Sequence, residues 1–314
     1  MSEHRRSDEP GIRIGFDIGG TKLAVVALDR KGAELGRDRR PVPRDYRGVV
    51  DAIVHMAGSM ADAHGDALSL GIALPGMIGA KSELVRMVNL PWLERTPLRE
   101  DLQQALARPV AIANDANCFA LSEAQDGAAA GAGVVFGVIL GTGVGGGIVV
   151  HGRVVAGANA IAGEWGHNPL FEIGETTGPP VTCGCGRIGC IETWLNGAAL
   201  TRDYLALSGT ELDAAEVAVR AEAGEDAART ALSRFEHRLA AALASIINIL
   251  DPDVIVLGGG LASIASLYES VPRRWSEFCV ASKPKTRLAR ARFGPESGLR
   301  GAAWLGATAS GENA

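Results

Sequence analysis

Two stretches of this chain, roughly 120 residues apart, follow one pattern of apolar strand, glycine turn and returning strand. The first, Ile12 to Leu28 (IRIGFDIGGTKLAVVAL), turns at Gly19 and Gly20. The second has a strand from Val134 to Leu140, a turn over Gly141 to Gly147 and a return from Ile148 to His151. β-Branched apolar runs broken by glycine read as strand–turn–strand, and their recurrence at long period implies an internal duplication. Such a chain folds as two α/β lobes, each holding one unit. With 314 residues it has length enough for two cores.

Spacing predicts the elements in between. Tyr46 to Ala63 has helical periodicity; Leu68 to Leu74 reads as a strand ending at Pro75-Gly76; Leu98 to Leu106 fits a short helix. A strand over Val110 to Ala113 stops at Asn114-Asp115-Ala116-Asn117, and a helix follows through Ala124. Leu232 to Leu250 sets Leu232, Phe235, Leu239, Leu243, Ile246, Ile247 and Leu250 on one face and ends at Asp251-Pro252. Val254 to Leu257 reads as a buried strand running into Gly258, Gly259 and Gly260, with a further helix after it. The basic stretch 282–292 reads as a solvated face, and Gly301 to Thr308 as a final helix of small residues.

Charge and cysteine content exclude several classes. A net charge of −5 gives no support for nucleic-acid binding. Five cysteines, an odd number, argue against a disulfide framework and for a reducing, cytoplasmic setting. The polar start MSEHRRSDEP has no apolar core of a signal peptide, and residues 1–11 are expected to be a disordered tail. The one long uncharged stretch, Ala128 to Val150, is too rich in glycine for a membrane helix.

Between Gly163 and Glu192 lies a denser pattern. Cys183, Cys185 and Cys190 fall within eight residues, and His167 stands sixteen residues before the first of them. Three thiolates and an imidazole make a complete tetrahedral set for a structural zinc, with no position left for water. A redox pair or merely buried thiols are the alternative, although CxC is not the CxxC redox spacing. Glu164 and Glu192 flank the cluster and are left over as non-ligands.

Glycine turns at strand ends present backbone N–H groups to phosphate, and three occur, at 19–20, 141–147 and 258–260. None is a Walker A loop, and the GxGxxG read from Gly141 to Gly146 precedes a strand, which is a poor match to a dinucleotide fold. Asp17, just before the first turn, suits either Mg²⁺ beside phosphate or a solvated strand end. Asp115 suits either a general base for a hydroxyl attacking phosphorus or the cap of the following helix.

Taken in order, DIGGTK at 17–22, LPG at 74–76, NDAN at 114–117, GTGVGGG at 141–147, GEWGH at 163–167, CGCGRIGCIE at 183–192 and LGGG at 257–260 resemble the ROK family of bacterial sugar kinases and related repressors. The likeness runs over about residues 12–306. It implies the two-lobed α/β fold of the actin-like ATPases, a duplicated ribonuclease H-like fold with a structural zinc loop. The expected lobes are 12–118 with 299–314, the smaller, and 119–298, the larger. The resemblance also implies Asp115 as catalytic base and Asn89, Asn114, Asp115, Glu164, His167 and Glu192 as sugar contacts. Asp17, Gly19, Gly20, Thr21, Lys22, Gly141, Thr142, Gly143, Gly258, Gly259 and Gly260 fall to ATP with Mg²⁺. His167, Cys183, Cys185 and Cys190 fall to zinc.

The activity expected from it is phosphorylation of a hexose at its 6-hydroxyl. Fructokinase or mannokinase is the leading expectation, on GEWGHNPL, LSEAQDGAAAGA and NILDPDVIVLGGG. N-acetylglucosamine kinase or glucokinase is the alternative, on DANCFALSEA and PGM. A sugar-responsive regulator without kinase activity is the reading from another class, and the eleven residues ahead of Ile12 are too few for the helix-turn-helix it would carry. Partners are expected to be hexose and ATP alone, with no nucleic acid and no membrane, in a homodimer. Zinc loss is expected to disturb the sugar contacts and leave nucleotide binding alone.

Overall fold

Apolar runs that alternate little are buried on both faces, which is the condition for parallel pairing. β1 (Ile12–Ile18) and β4 (Ala67–Leu74) meet it, and a computed structural model pairs them in parallel, with the half-buried edge strand β7 (Val110–Asn114) parallel beyond β4. The structure describes residues 11–78, 84–87, 90–171, 174 and 180–309. β2 (Lys22–Leu28) and β3 (Glu34–Pro41) continue the sheet antiparallel on the other side of β1, giving the order β3-β2-β1-β4-β7. A small antiparallel pair, β5 (Gly76–Ile78) with β6 (Val85–Met87), follows β4.

The second sheet repeats this plan. β8 (Val134–Leu140) and β9 (Val144–Val150) form the hairpin, and β10 (Arg153–Val154) the outer strand. β11 (Val254–Gly258) and β12 (Arg287–Arg290) pair in parallel on the far side, for the order β10-β9-β8-β11-β12. Third, second, first, fourth, fifth is the strand order of both sheets, with the same directions throughout. The duplication expected from the two glycine hairpins is therefore a property of the whole sheet.

Two compact units carry these sheets. One takes in the chain up to Ser122, Ala156–Ile161 and everything from Glu296 onward; the other takes Glu123–Val155 and Ala162–Pro295. In the first unit, α1 (Tyr46–His64) begins where the Asp45 side chain accepts the Gly48 N–H at 2.7 Å, and it buries Val49, Val50, Ile53 and Met56. α2 (Leu98–Leu106) adds Leu98 and Leu102 to the same core, and α3 (Asp115–Gln125) follows β7 directly. In the second, α7 (Asp226–Leu250) buries Leu232, Phe235, Leu239, Leu243 and Ile247, while Ile246 and Leu250 are only half-buried. It packs with α4 (Glu192–Leu195), α5 (Gly197–Ser208), α6 (Ala214–Glu222) and α8 (Leu267–Phe278). Among the described residues no helix is long and apolar enough to cross a membrane.

Two sequence expectations change, and one strand was not foreseen. Gly145, Gly146 and Gly147 lie inside β9, so the turn is shorter than the glycine run. Part of the basic stretch 282–292 is β12, an edge strand with Arg287 and Arg290 outward and Ala289 buried. β3 escaped the periodicity because its alternation is almost all charged. Charge suits an edge, since it resists pairing with a second chain.

α9 (Ser297–Ala309) lies against the first sheet at backbone distance. A Cβ on Gly71 of β4 would collide with the Ala302 carbonyl, and one on Gly301 with the Cys118 carbonyl. Backbone on both sides cannot give way, so overpacking of this kind costs about 1–3 kcal/mol or more. Gly71→Ala should accordingly lower the urea midpoint clearly. Gly58→Ala in α1, where a Cβ meets nothing, should hold or raise it. Equal midpoints for the two variants would contradict this packing.

Candidate functional site

The carboxyl ends of β1 and β7 carry the first group of candidates. Asp17 is level with Ala73 of β4, and Ala73 with Ala113 of β7, so Asn114 comes one residue further on and Asp115 opens α3. Oδ1 of Asn114 and Oδ1 of Asp115 each accept the Ala116 N–H at 2.8 Å. The helix-start role weighed for this pair is thus real. It leaves Asp115 exposed, while the fold packed behind it raises its carboxyl above the ordinary value, against the bonds from Ala116 and Asn114. Burial pushes Asp17 up to about 6, with the Asp115 charge adding to the rise and Arg39 opposing it. The turn between β1 and β2 closes with Gly19 N–H donating to the Lys22 carbonyl at 2.8 Å, and it leaves Gly20, Thr21 and Lys22 exposed.

The second group stands at the ends of β8 and β11. Gly141 N–H donates to the Gly143 carbonyl at 3.0 Å, which presents Thr142 to solvent. Gly259 has φ +82°, and a Cβ there would run into the Leu140 backbone, so only glycine lets the β11 turn cross β8. Gly258, Gly259 and Gly260 line a cavity of about 310 Å³ together with Ser263, Arg290 and Pro295. Sequence reasoning missed Arg290 because a basic run gives no sign of which member faces a cavity.

The segment 163–167 lies flat on β9. A Cβ on Gly163 would strike the Gly146 carbonyl, one on Gly166 the Val144 carbonyl, and Trp165 Nε1 donates to the Gly145 carbonyl at 3.0 Å. This close approach is why glycines persist inside β9. It also aims His167 at the three cysteines. Its Nδ1 is 3.4 Å from Cys183 Sγ, Cys185 Sγ is 3.6 Å from Cys190 Sγ, and the four donor atoms all lie within 4.8 Å of one another.

A tetrahedral site with Zn–S bonds near 2.3 Å has sulfur–sulfur edges of about 3.7 Å, close to the Cys185–Cys190 separation, so the cluster is compatible with structural zinc. The Arg187 guanidinium pulls the Cys185 thiol down to about 6, while burial pushes Cys183 up to about 12; Cys183 is the sulfur that most needs a cation to ionise. The far nitrogen of His167, Nε2, faces Glu164 Oε2 at 3.9 Å. Glu192 takes a different part. Its Oε1 accepts from Cys183 Sγ at 3.2 Å and its Oε2 from Val144 N–H at 3.3 Å, at the foot of the 141–143 turn. Gly197 N–H, just after α4, donates to the Gly141 carbonyl at 2.9 Å. The cysteine segment is therefore tied to the glycine turn as well. Asn89 lies outside the described residues, as do 172, 173 and 175–179 of the loop between His167 and Cys183.

Comparison with known proteins follows the same lines. The model of the ROK family matches residues 13–309. An N-acetyl-D-glucosamine kinase of Photobacterium profundum is 40% identical over 297 residues, spanning 93% of this chain and 98% of the relative. One from Pectobacterium atrosepticum is 39% identical over 299 residues, 93% of this chain and 97% of its own. Among solved structures, the ROK hexokinase from Thermus thermophilus superposes with a TM-score of 0.83 at 32% identity, covering 96% of this chain and 99% of that one. A Streptomyces griseus ROK glucokinase, solved with glucose and AMPPNP, gives 0.72 at 28% identity, covering 95% and 100%. The N-acetylglucosamine kinases, whose likeness covers 93% of this chain, back the alternative expectation better than the fructose preference drawn from short motifs. Two sheets of one topology, glycine turns at matching strand ends, a Cys₃His cluster and a family match from residue 13 to residue 309 agree: the chain belongs to the ROK family.

Proposed function

We propose that this chain transfers the γ-phosphoryl group of ATP to the 6-hydroxyl of N-acetylglucosamine. An ATP:sugar phosphotransferase of ROK type is what its family membership makes it; the choice of sugar is our own reading. The observation that carries it is the 40% identity to the Photobacterium kinase over 98% of that protein. A glucose reading has its own support in the Thermus hexokinase and Streptomyces glucokinase neighbours, at lower identity.

In this reading Asp115 takes the proton from the sugar hydroxyl as it attacks phosphorus. Burial raises this carboxyl above the ordinary value while it still reaches solvent, which makes it a stronger proton acceptor than a free aspartate. Asn114, Glu164, His167 and Glu192, together with Asn89, hold the remaining hydroxyls, and Nε2–H of His167 is the donor left once Nδ1 serves the cluster. The turns at Gly19–Lys22, Gly141–Gly143 and Gly258–Gly260 hold the nucleotide, and Asp17 the Mg²⁺ that neutralises developing phosphate charge. Zinc bound by three sulfurs and a nitrogen has no open position, so its part is to hold the loop. The lobes at 12–118 with 299–314 and at 119–298, and the homodimer, belong to the same proposal.

A coupled ADP-release assay over N-acetylglucosamine, N-acetylmannosamine, glucose, mannose and fructose tests the substrate. N-acetylglucosamine should give the highest kcat/KM, and fructose turned over as well or better would sink the reading. Asp115→Asn should lower kcat by about a hundredfold or more with sugar binding nearly intact.

Metal analysis of untagged protein should find one zinc per chain. Cys185→Ser should lose it and raise KM for the sugar, with a smaller rise for ATP through Glu192. Less than a tenth of an equivalent in folded, active protein would rule the zinc out.

Asp17 carries a pH signature. Its folded value of about 6 exceeds the ordinary 3.8, so the folded state holds the proton more tightly than the unfolded one. Stability contributed by this group is therefore full below about pH 4, falls as pH rises towards 6 and stays lost above. Asp17→Asn should stabilise the ligand-free protein at pH 7.5, by at most about 3 kcal/mol. That gain should vanish below pH 4 while phosphoryl transfer falls. Thermal melts across pH decide it, and a variant less stable than wild type at pH 7.5 would refute it.

A further inference from the structure

The face of α7 opposite its buried stripe is not simply solvated. Arg229, Ser233 and His237 recur there at four-residue spacing, and Thr230 and Arg234 do the same. Arg274 reaches across from α8, its guanidinium donating to Ser233 Oγ at 3.2 Å. Gly174 closes another side, with φ +60° and the His237 ring 3.3 Å from where a Cβ would stand. Together these residues line a cavity of about 480 Å³, with no carboxylate among the described residues that line it.

Two of the arginines stand without charge compensation among the described residues. Arg229 donates from Nε to the Ala221 carbonyl at 3.4 Å, and Arg274 bonds only Ser233; the neighbouring Glu269 is taken by Arg273. None of the residues in the candidate sugar and nucleotide groups lines this cavity.

We propose that this cavity is a second ligand site, for a small molecule carrying a phosphate dianion. Guanidinium forks match phosphate oxygens in pairs, and hydroxyls at Thr230 and Ser233 add donors that a carboxylate-lined surface would lack. A concave space of this volume takes a metabolite, whereas a nucleic-acid strand needs an extended basic track. The phosphate can belong to free inorganic phosphate or to a sugar phosphate such as the product of the proposed reaction.

Calorimetric titration of the full chain tests it, with a nonhydrolysable ATP analogue and sugar saturating the kinase site, in about 150 mM NaCl to screen loose ion binding. Inorganic phosphate and N-acetylglucosamine 6-phosphate are the two probes. At least one should bind saturably, and Arg229→Ala with Arg274→Ala should weaken it by about tenfold or more. The double variant should keep wild-type kcat at saturating substrates, so that failure of the site and failure of the kinase reading stay distinct. Tighter binding of the sugar phosphate assigns a phosphomonoester, and tighter binding of phosphate alone assigns the free ion. Should the double variant not fold, Arg229→Ala, at an exposed position, carries the same expectation of weaker binding. No saturable binding of either probe, or unchanged affinity in the arginine variants, overturns the proposal.

Discussion

Parallel pairing brings the carboxyl ends of neighbouring strands to one edge of a sheet, and the placement of every candidate group follows from it. In the first unit β1, β4 and β7 run together, so Asp17, Leu74 and Asn114 finish at one edge, their order set by register. In the second, β8 and β11 do the same for Gly141 and Gly258. An antiparallel sheet of the same strands would have sent alternate ends apart. Ligands gather at such edges because the chain leaves each strand there in a turn whose N–H groups are unspent.

Close backbone contact is the second constraint. Gly163 and Gly166 lie directly on β9, and Gly71 and Gly301 do the same between α9 and its neighbours. No side chain intervenes at these crossings, so position is set to within the width of a carbonyl group. The Gly163–His167 segment inherits that precision, with the indole of Trp165 buried as its anchor. His167 can then meet three sulfurs that arrive from a loop sixteen to twenty-three residues further along the chain.

Electrostatics at the site run against stability. Asp17 is held among a second carboxylate, Asp115, and the more distant Glu296, with Arg39 the opposing charge. A fold keeps such a group where a cation or a phosphate-bound metal will later repay its desolvation. Glu192 stands otherwise: two residues after Cys190, it accepts the Val144 N–H and so ties the cysteine loop to the glycine turn.

The duplicated strand–turn–strand plan, the helices at Tyr46 and Leu98, the apolar stripe of α7 and the Cys₃His set were all legible from residue spacing. Each is a local pattern in which spacing alone dictates which side chains share a face or a metal. The sequence also held Asp17 and Asp115 as candidates, since a carboxylate at a strand end beside glycine is visible in one dimension. What it left open was decided by contacts between distant segments. The glycines of β9 looked like a turn until the 163–167 segment was seen to need their bare backbone. β12 looked like solvated charge because an edge strand is recognised by its neighbour more than by its own alternation. Nothing in the helical spacing of α7 marked its arginines, which share one cavity with Arg274 and Gly174. In each case tertiary packing supplied a partner that no periodicity encodes.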